Sequence, residues 1–396
     1  MTHVIPELEP ARPALDARRG AALLMALFAI VVLSTIISAA MFISQQGFRS
    51  SRNTLVEQRA FAVAEFGLNS DVSNWDRSRN ITMAVGDTTK NLVYVAAGDT
   101  ARVSIKRLSD TGFWVVSEGR ASVGSMGLES ARQTGAFVRI AYPSIKAKGA
   151  ITSAGNVRVQ GSAEVNGYDH PPTGWGHCAS LPSDSVAAVV VGPTGTVTSG
   201  PSNITSTPAV VHDSAAADSN TYVRYGSESW VSLTSNADIN LPGGLFGSDI
   251  EPAGTATACD RSYPTYHDYN WGEPLRSGVG YIAGCTSYYP IIYSASSLKI
   301  NGNGRGQGIL LVNGDLEING KFEFYGLVIV RDDLVKGNGT AQIMGAVYAA
   351  NLSEVNPLSW LTGDQDVFYS RCAIESALRG SGILIRAKER HWAQIF

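Results

Sequence analysis

The sequence has 396 residues, enough for two or three domains, and its 16% charged content does not indicate wholesale disorder. The formal net charge of −3 at pH 7 shows no basic excess, which argues against a nucleic-acid-binding protein. The 41 glycines and the sparse charges favour turn-rich β structure over a helical bundle.

The first predicted element is a long apolar helix near the N-terminus. Residues 21–43 are 23 positions without a charge, and a helix of that length measures about 35 Å, enough to span a bilayer. A cleavable secretory signal has an apolar stretch of only about 7 to 15 residues, so we expect this segment to stay attached. One arginine pair precedes it and another follows it. The positive charges on the two sides are nearly balanced, so the positive-inside rule gives little information about the orientation of the helix in the membrane.

The helix is predicted to continue beyond the apolar stretch. The segment "QQGFRSSRNTLVEQRAFAVAEFGLNSDV" has no proline and many helix formers, which extends the helix to about residue 70 with Gly47 as its softest point. Four apolar residues fall on or near one stripe of this part: Leu55, Ala62, Phe66 and Leu68. A helix of about 50 residues, half apolar and half amphipathic, needs partners along its length.

The residues around this helix resemble a known family. Arg-Arg-Gly directly before the apolar run, and "QRAFAVAEFGLNS", which contains Glu65, at the end of the helix, resemble the N-terminus of type IV pilin-like proteins. The resemblance is to PilX-type minor pilins and the related K-type pseudopilins of type II secretion. It implies that a prepilin peptidase cleaves after Gly20, so that residues 1–20 are a leader, Ala21 is the mature N-terminus and residues 21–72 are the transmembrane and spine helix.

One position departs from the family pattern. Major pilins carry Glu at the fifth mature position, where this chain has Met25. A methionine cannot pair with the N-terminal amine of a neighbouring subunit inside an apolar filament core, where an unpaired charge is costly. Two explanations stay open: a subunit at the end of a filament with no predecessor to satisfy, or an apolar residue that PilX-type chains carry wherever they sit.

Residues 73–145 are predicted to form a pilin-like antiparallel β-meander behind the helix. The β-rich runs "ARVSIKRLSD" and "FWVVSEGRAS" flank a short turn at Thr111 and Gly112, and "ARQTGAFVRIAYP" supplies a third run. A long helix packed on such a sheet is the pilin-like module.

Residues 146–351 contain a repeat of 18 residues, which predicts a β-solenoid-like domain. Segments that begin at Ser297, Asp315 and Asp333 align, and the segment from Gly149 fits the same template. The aligned positions are Leu298, Leu316 and Leu334; Ile300 and Ile318; the turn glycines Gly302 and Gly320; Gly308, Gly326 and Gly345; and, upstream, Val157 and Val159 in the aliphatic places. A run of ordinary hairpins with Asn-Gly turns is the alternative.

An insertion is predicted at residues 168–295, either with its own disulfide-stapled fold or as a cover on the solenoid. The aromatic residues of its segment 262–274 either stack on sugars or partner surfaces or form the core of the insertion. Residues 352–396 are predicted to form a short helix from about Cys372 to Leu378, stopped by Gly380, and a last strand in "RHWAQIF".

The cysteines predict an oxidising compartment. There are four of them and none has CxxC spacing, which favours two disulfides over buried thiols and leaves three pairings open. The disulfide candidates are Cys178, Cys259, Cys285 and Cys372.

The sequence carries no common catalytic signature. GxSxG, HExxH, P-loop and EF-hand motifs are absent, so we predict no enzyme activity, no cofactor and no metal site. His170, His177 and Cys178 in "HPPTGWGHC" lack a second ligand pair, so a disulfide beside surface histidines is preferred to a zinc site. "NGNGRG" falls on a repeat corner, and Asp364 and Asp366 are assigned to a polar turn instead of a cation site.

These observations predict an α+β chain: a transmembrane spine helix, an antiparallel meander and a β-solenoid-like domain with a disulfide-containing insertion. The resemblance implies a minor pilin-like structural subunit for type IV pilus assembly, with the filament tip as one location. Its implied partners are other pilins, a prepilin peptidase and the inner membrane before assembly, with the bulk periplasmic and later extracellular, and no nucleic acid. The alternatives are a tip-borne adhesin that binds an extracellular surface ligand, and an unprocessed membrane-anchored solenoid scaffold.

Overall fold

The computed structural model describes residues 16–96, 99–123, 128–181, 183–200, 203–263, 265–335, 339–350, 358–386 and 392–395. Within these ranges the fold is α+β, as predicted: a long N-terminal helix, an antiparallel sheet and a domain of stacked parallel strands. Most of the predicted leader, residues 1–15, lies outside the described residues.

The helices and strands are numbered in chain order. The helices are α1 Asp16–Ser73, α2 Arg77–Thr82, α3 Trp230–Ser235 and α4 Arg371–Gly380. The first strands are β1 Thr88–Ala96, β2 Asp99–Arg107, β3 Gly112–Val123, β4 Leu128–Ala141, β5 Gly149–Ser153, β6 Asn156–Val159, β7 Val165–Asn166, β8 Ala187–Val191, β9 Val197–Ser199, β10 Ile204–Thr205 and β11 Val210–His212. Then follow β12 Arg224–Tyr225, β13 Glu228–Ser229, β14 Ile239–Leu241, β15 Gly244–Phe246, β16 Ile291–Ser294, β17 Leu298–Ile300, β18 Gly304–Val312, β19 Leu316–Ile318, β20 Phe322–Val330, β21 Leu334–Val335 and β22 Thr340–Ala349. The last are β23 Leu358–Leu361, β24 Asp364–Tyr369, β25 Ile383–Arg386 and β26 Trp392–Ile395.

Helix α1 runs for 58 residues without interruption, through the apolar stretch and beyond it. No proline occurs between its ends, and Leu, Ala, Met and Gln supply good helix propensity along much of its length. After Ser73 the chain turns into α2, where the Asp76 side chain accepts a hydrogen bond from the backbone N–H of Arg79 at 3.2 Å and so caps the new helix.

The antiparallel sheet has the order β1–β2–β3–β4, and both β25 and β26 pair with β4. The three predicted runs form β2, β3 and β4, and the predicted final strand is β26. Strands β1 and β25 were not predicted from the sequence. Apolar side chains of the sheet, among them Phe113 and Val138, pair across β3 and β4 and bury themselves under the helix.

The helix packs on this sheet through a different stripe from the predicted one. The buried residues are Val56, Ala60, Val63, Ala64, Leu68 and Val72. Only Leu68 of the predicted stripe is buried, while Ala62 is exposed and the Leu55 and Phe66 side chains are 57% and 51% exposed. Small residues on the neighbouring face allow the helix to approach the sheet more closely, so that face is the one buried.

The described residues between 149 and 369 form a second domain, which we call the coiled domain because its chain winds through successive coils. The parallel strands of these coils stack in the predicted register. Strands β16, β18, β20, β22 and β24 form one ladder, and β15, β17, β19 and β21 form a second. The predicted strand pairings occur between successive coils: Leu298 with Leu316 and Leu316 with Leu334, Ile300 with Ile318, and Gly308 with Gly326 and Gly326 with Gly345. The hairpin alternative is therefore wrong for these segments, because each strand pairs in parallel with its equivalent in the next coil.

Positive backbone φ explains one line of glycines. Gly308, Gly326 and Gly345 have φ values of +117°, +140° and +153°, and they bend the long strands at the same height in successive coils. A Cβ on Gly326 would lie 2.1 Å from the carbonyl oxygen of Gly308, so the stack has no room for a side chain there.

Residues 168–295 contribute to the coils as well as to a disulfide loop. Strands β8, β14 and β16 lie in the large parallel sheet, and β15 lies in the four-stranded one. The bond between Cys259 and Cys285 closes a local loop, whereas Cys178 is bonded to Cys372 in α4. Helix α4 extends to Gly380, where a Cβ would lie 2.4 Å from Cβ of Tyr289, so this glycine lets the end of the helix pack closely against Tyr289.

Candidate functional site

The largest exposed apolar surface belongs to the first half of α1. All described side chains from residue 22 to residue 55 are exposed. The large apolar ones are Leu23, Leu24, Met25, Leu27, Phe28, Ile30, Val31, Val32, Leu33, Ile36, Ile37, Met41, Phe42, Ile43, Phe48 and Leu55. Burial of one such side chain is worth about 1.5–3 kcal/mol, so this surface requires lipid or an apolar partner.

This surface meets the physical requirements of a membrane span. Its most apolar window has a mean hydropathy of 2.6, and it belongs to the one helix in the described part of the chain that is long and apolar enough to cross a membrane. Met25 is 75% exposed on it, so the fifth position after Gly20 contributes an apolar thioether to the surface. Gly20 and Ala21 lie within helix α1, and the cleavage site remains a prediction.

The second half of α1 is fixed to the sheet by two ion pairs. Arg59 Nε donates to Asp99 Oδ2 at 2.7 Å, and the Asp99 side chain is almost fully buried. Arg132 Nη2 lies 2.8 Å from Glu57 Oε2 on the other side of the contact. Glu65 is exposed on the helix and is not part of either pair. The ion pairs fix the direction in which the apolar half of the helix leaves the folded domain.

Small residues bring the helix backbone against the sheet. A Cβ on Gly119 of β3 would lie 2.2 Å from the Ala60 carbonyl oxygen and 2.3 Å from the Ala64 nitrogen. By contrast, nothing lies within 4 Å of a Cβ placed on Gly47, which lies nearer the N-terminus of the same helix. Gly119 therefore sets the distance between spine and sheet, and Gly47 is free of such contacts.

Gly119→Ala is expected to lower the free energy of unfolding by about 1–3 kcal/mol, because the added methyl overlaps the backbone of α1. Thermal unfolding of the full chain in detergent measures the change. Gly47→Ala is the matched control, since it adds the same methyl in open space. Equal stability of the two variants would contradict the close contact.

The two histidines that were compared with a zinc site, His170 and His177, lie near a disulfide and not near free thiolates. Cys178 is bonded to Cys372, and its Sγ lies 4.0 Å from Nε2 of His177. His177 Nε2 lies 3.0 Å from the Ser376 hydroxyl, whereas His170 Nδ1 lies 2.6 Å from a backbone carbonyl. A disulfide offers no thiolate, so the geometry matches the preferred interpretation of a disulfide beside histidines.

The aromatic segment 262–274 is divided between core and surface. Trp271 is completely buried among Phe322 and Phe324, and its Nε1–H donates to a backbone carbonyl. Tyr263 is 74% exposed. The core interpretation therefore holds for Trp271, and stacking of Tyr263 on a sugar or a partner surface stays a prediction.

The corner sequence "NGNGRG" has a structural partner that the sequence did not reveal. Arg305 donates from Nε and Nη2 to the two carboxylate oxygens of Glu273, each at 2.8 Å, and Glu273 is fully buried. The same carboxylate accepts the backbone N–H groups of Leu275 and Ile282. This network joins the disulfide loop to the coils.

Asp364 and Asp366 lie at the start of β24. Asp364 accepts a hydrogen bond from the Ser162 hydroxyl, and Asp366 Oδ1 accepts from the backbone N–H of Glu164 at 2.9 Å. Burial raises the pKa of the Asp366 carboxyl. These contacts join two coils and satisfy the carboxylates within the protein.

The fold and its exposed helix define a class of chain: a membrane-length apolar helix whose second half is docked on an antiparallel sheet, followed by a disulfide-bonded parallel β domain. No family model matches the sequence, and no curated protein matches it. Among solved structures, the chain is similar to the competence-associated pilin ComZ from Thermus thermophilus at 10% sequence identity, over 86% of this chain and 97% of that one. The TM-score is 0.24, so this likeness carries no argument about function.

Proposed function

We propose that the protein is a pilin-like structural subunit whose apolar spine helix is buried against the helices of other subunits in an extracellular filament. The observation that carries the proposal is α1 itself. Its first half is an exposed apolar rod, and its second half is held on the six-stranded antiparallel sheet by close packing and two ion pairs. This geometry lets one helix serve as a membrane anchor before assembly and as a packing surface afterwards.

The more specific form of the proposal is a PilX-type minor pilin of a type IV pilus. In this form a prepilin peptidase removes residues 1–20, the chain is stored in the inner membrane with its bulk periplasmic, and it then enters the filament. Its partners are pilins and minor pilins. Met25 supplies no carboxylate for a neighbouring amine, which fits a subunit at the tip as well as an apolar contact elsewhere in the filament.

We propose a structural role without catalysis. The disulfide, the buried ion pair of Glu273 with Arg305 and the carboxylates of β24 are all satisfied by contacts inside the protein. Each of these groups joins separate parts of the chain, which is what a subunit under tension in a filament needs.

The N-terminal mass of the full chain tests processing. We expect membrane-associated protein co-expressed with a prepilin peptidase to begin at Ala21, and protein made without the peptidase to keep Met1. Gly20→Val is the control variant, because a bulky residue before the scissile bond is expected to block cleavage. An intact Met1 in the presence of an active peptidase would support the unprocessed anchor instead.

Photo-crosslinking tests the packing surface. A photoreactive phenylalanine at Phe28, which is 70% exposed, is expected to crosslink to another pilin under assembly conditions. The same group at Tyr263, which is 74% exposed on the coiled domain, is the control with matched exposure. Absence of any pilin adduct at Phe28 under conditions that produce filaments would refute the proposal.

A second candidate function is a tip-borne binding module. A groove lined by residues of helix α2, of the segment around Thr286 and of helix α4 favours this function. Point variants in that groove test this function. Deletion of residues 168–295 is unsuitable, because it would remove strands β8, β14 and β16 from the large parallel sheet.

A further inference from the structure

A groove of about 440 Å³ lies where the helix-and-sheet module meets the coiled domain. Helix α2 forms one wall, and the segment around Thr286 and helix α4 form the others. The lining residues are Ile81, Thr82, His177, Arg276, Thr286, Ser287, Tyr289, Ser376, Arg379 and Gly380. Ligand sites occur preferentially at such junctions between domains, and a groove of this volume is large enough for a small polar ligand.

Two guanidinium groups face this groove without a compensating carboxylate. Neither Arg276 nor Arg379 forms an ion pair with any acidic side chain in the described ranges. The lining contains no Asp or Glu. Positive charge is therefore concentrated on one concave surface of a chain whose formal net charge is −3.

Arg276 is held in place before any ligand arrives. Its Nη1 lies within 3.1 Å of the backbone carbonyl oxygens of Glu273, Pro274 and Leu275, which share its two N–H groups. Its Nη2 lies 3.3 Å from the Tyr289 hydroxyl and 3.5 Å from the Thr286 carbonyl oxygen, and its guanidinium carbon lies 4.4 Å from the centroid of the Trp175 ring. These contacts are neutral, so they orient the guanidinium without cancelling its charge. Preorganisation of this kind lowers the cost of binding.

The two arginines affect the pKa of His177. Burial lowers the pKa of this imidazole, and repulsion from Arg276 and Arg379 lowers it further. The imidazole is therefore neutral at pH 7 and lies 3.0 Å from the Ser376 hydroxyl. The groove thus keeps a net positive charge from its arginines alone, with a neutral hydrogen-bonding ring beside them.

The remaining lining is rich in hydroxyl groups. The Thr286 hydroxyl donates to the Ala283 carbonyl, and Ser376 contacts His177, but each hydroxyl oxygen keeps lone pairs that can accept further hydrogen bonds. Ser287 adds another hydroxyl, and the Tyr289 ring supplies an apolar wall. Such a lining complements a ligand that carries hydroxyl groups as well as a negative charge.

The disulfide fixes the segment that carries His177 relative to helix α4, which carries Arg379. Cys178 follows His177, and Cys372 lies in the helix that carries Arg379 near its C-terminal end. The bond between them therefore ties the segment of His177 to α4. The spacing between His177 and Arg379 is part of the folded structure.

We propose that this groove binds a hydroxyl-bearing ligand with one oxyanion group, the chemistry of an acidic or phosphorylated sugar. The oxyanion lies between Arg276 and Arg379, where charge-assisted hydrogen bonds are strongest, and the ligand hydroxyls donate to the serine and threonine oxygens. The inference is independent of the filament function, because it uses only the junction of the two modules.

Calorimetric titration of the full chain in detergent tests the proposal with glucuronate, glucose 6-phosphate, glucose and acetate. We expect one or both charged sugars to bind at least about tenfold more tightly than glucose or acetate, since a hydrogen bond to a charged group contributes about 1.5 kcal/mol or more. The two charged sugars separate a carboxylate from a phosphate source. Equal binding of glucose and both charged sugars, or no binding of any charged sugar, overturns the proposal.

Variants locate the binding. Arg379→Gln is expected to weaken the binding of the preferred sugar about tenfold or more, and Arg379→Lys is expected to retain most of it. Arg379 is exposed, so its replacement leaves the core intact. Arg102→Gln, at an exposed position on β2, is the control and is expected to bind as the unmodified chain does. An equal loss in both glutamine variants, or no loss in Arg379→Gln, rules out the groove.

Discussion

Replacement of both Cys178 and Cys372 by alanine is expected to lower the free energy of unfolding of the coiled domain by about 5 kcal/mol. The bond closes a loop with a sequence separation of 194 residues, and the entropy that such a loop removes from the unfolded chain grows with its length. It also joins α4 to the segment of Trp175 and so covers the apolar cluster between them. Chemical denaturation of the oxidised protein measures the loss.

The second disulfide provides the matched control. The bond between Cys259 and Cys285 spans only 26 residues, so its removal by the same two substitutions is expected to cost about 3.5 kcal/mol. The order of the two losses is the decisive quantity, because strain and unfolded-state structure affect their absolute size. A larger loss for the short loop would show that the long-range bond is not a main constraint on the fold.

Gly308→Ala is expected to lower the free energy of unfolding by about 2–5 kcal/mol. Its φ of +117° costs an alanine about 1–2 kcal/mol. Its Cβ would also lie 2.3 Å from the carbonyl oxygen of Pro290, and relief of such overpacking costs about 1–3 kcal/mol more. The same denaturation experiment applies.

Gly278 separates these two contributions. Its φ of +112° nearly equals that of Gly308, but nothing lies within 4 Å of a Cβ built on it. Gly278→Ala should therefore cost only the backbone part, about 1–2 kcal/mol. Losses of equal size at both positions would mean that the coils tolerate a methyl at the corner, contrary to the stacked glycine line.

The coils were predictable because their signal is periodic and local. The 18-residue spacing by itself aligns Leu298 with Leu316 and Gly308 with Gly326, and each pair lies side by side in a parallel ladder. The spine helix was predictable for a similar reason, since a long stretch without charge or proline needs no knowledge of the rest of the chain. Periodicity did not reveal that residues 168–295 supply further strands, because their lengths and turns are irregular.

The buried stripe of α1 depended on information outside the helix. Apolar residues occur on more than one face of its second half, so local pattern gives no basis for choosing Ala60 and Ala64 over Leu55 and Phe66. The choice is made by Gly119, where the sheet backbone meets the helix and only small residues fit. The ion pair of Arg305 with Glu273 and the pairing of Cys178 with Cys372 were hidden for the same reason, since each joins segments far apart in sequence.

The groove residues also escaped the sequence analysis. His177 was assigned to the surface beside a disulfide in preference to a zinc site, and neither Arg276 nor Arg379 belongs to a recognisable motif. They come together because α4 returns to the disulfide loop, which no spacing rule predicts. The groove has an excess of positive charge because its lining has two arginines and no acidic residue. The sequence does not show this, because it does not show which acidic residues lie near the groove.

The return of the chain to its first sheet has a mechanical consequence. The coils are connected to that sheet twice, by residues 142–148 after β4 and by residues 381–382 before β25, and β25 lies beside β4. Tension applied to the coils is therefore divided between two covalent tethers that are anchored on adjacent strands. A protease that cuts only one of these tethers leaves the coils joined to the sheet through the other. The presence of two tethers also prevents the coils from rotating about a single peptide segment.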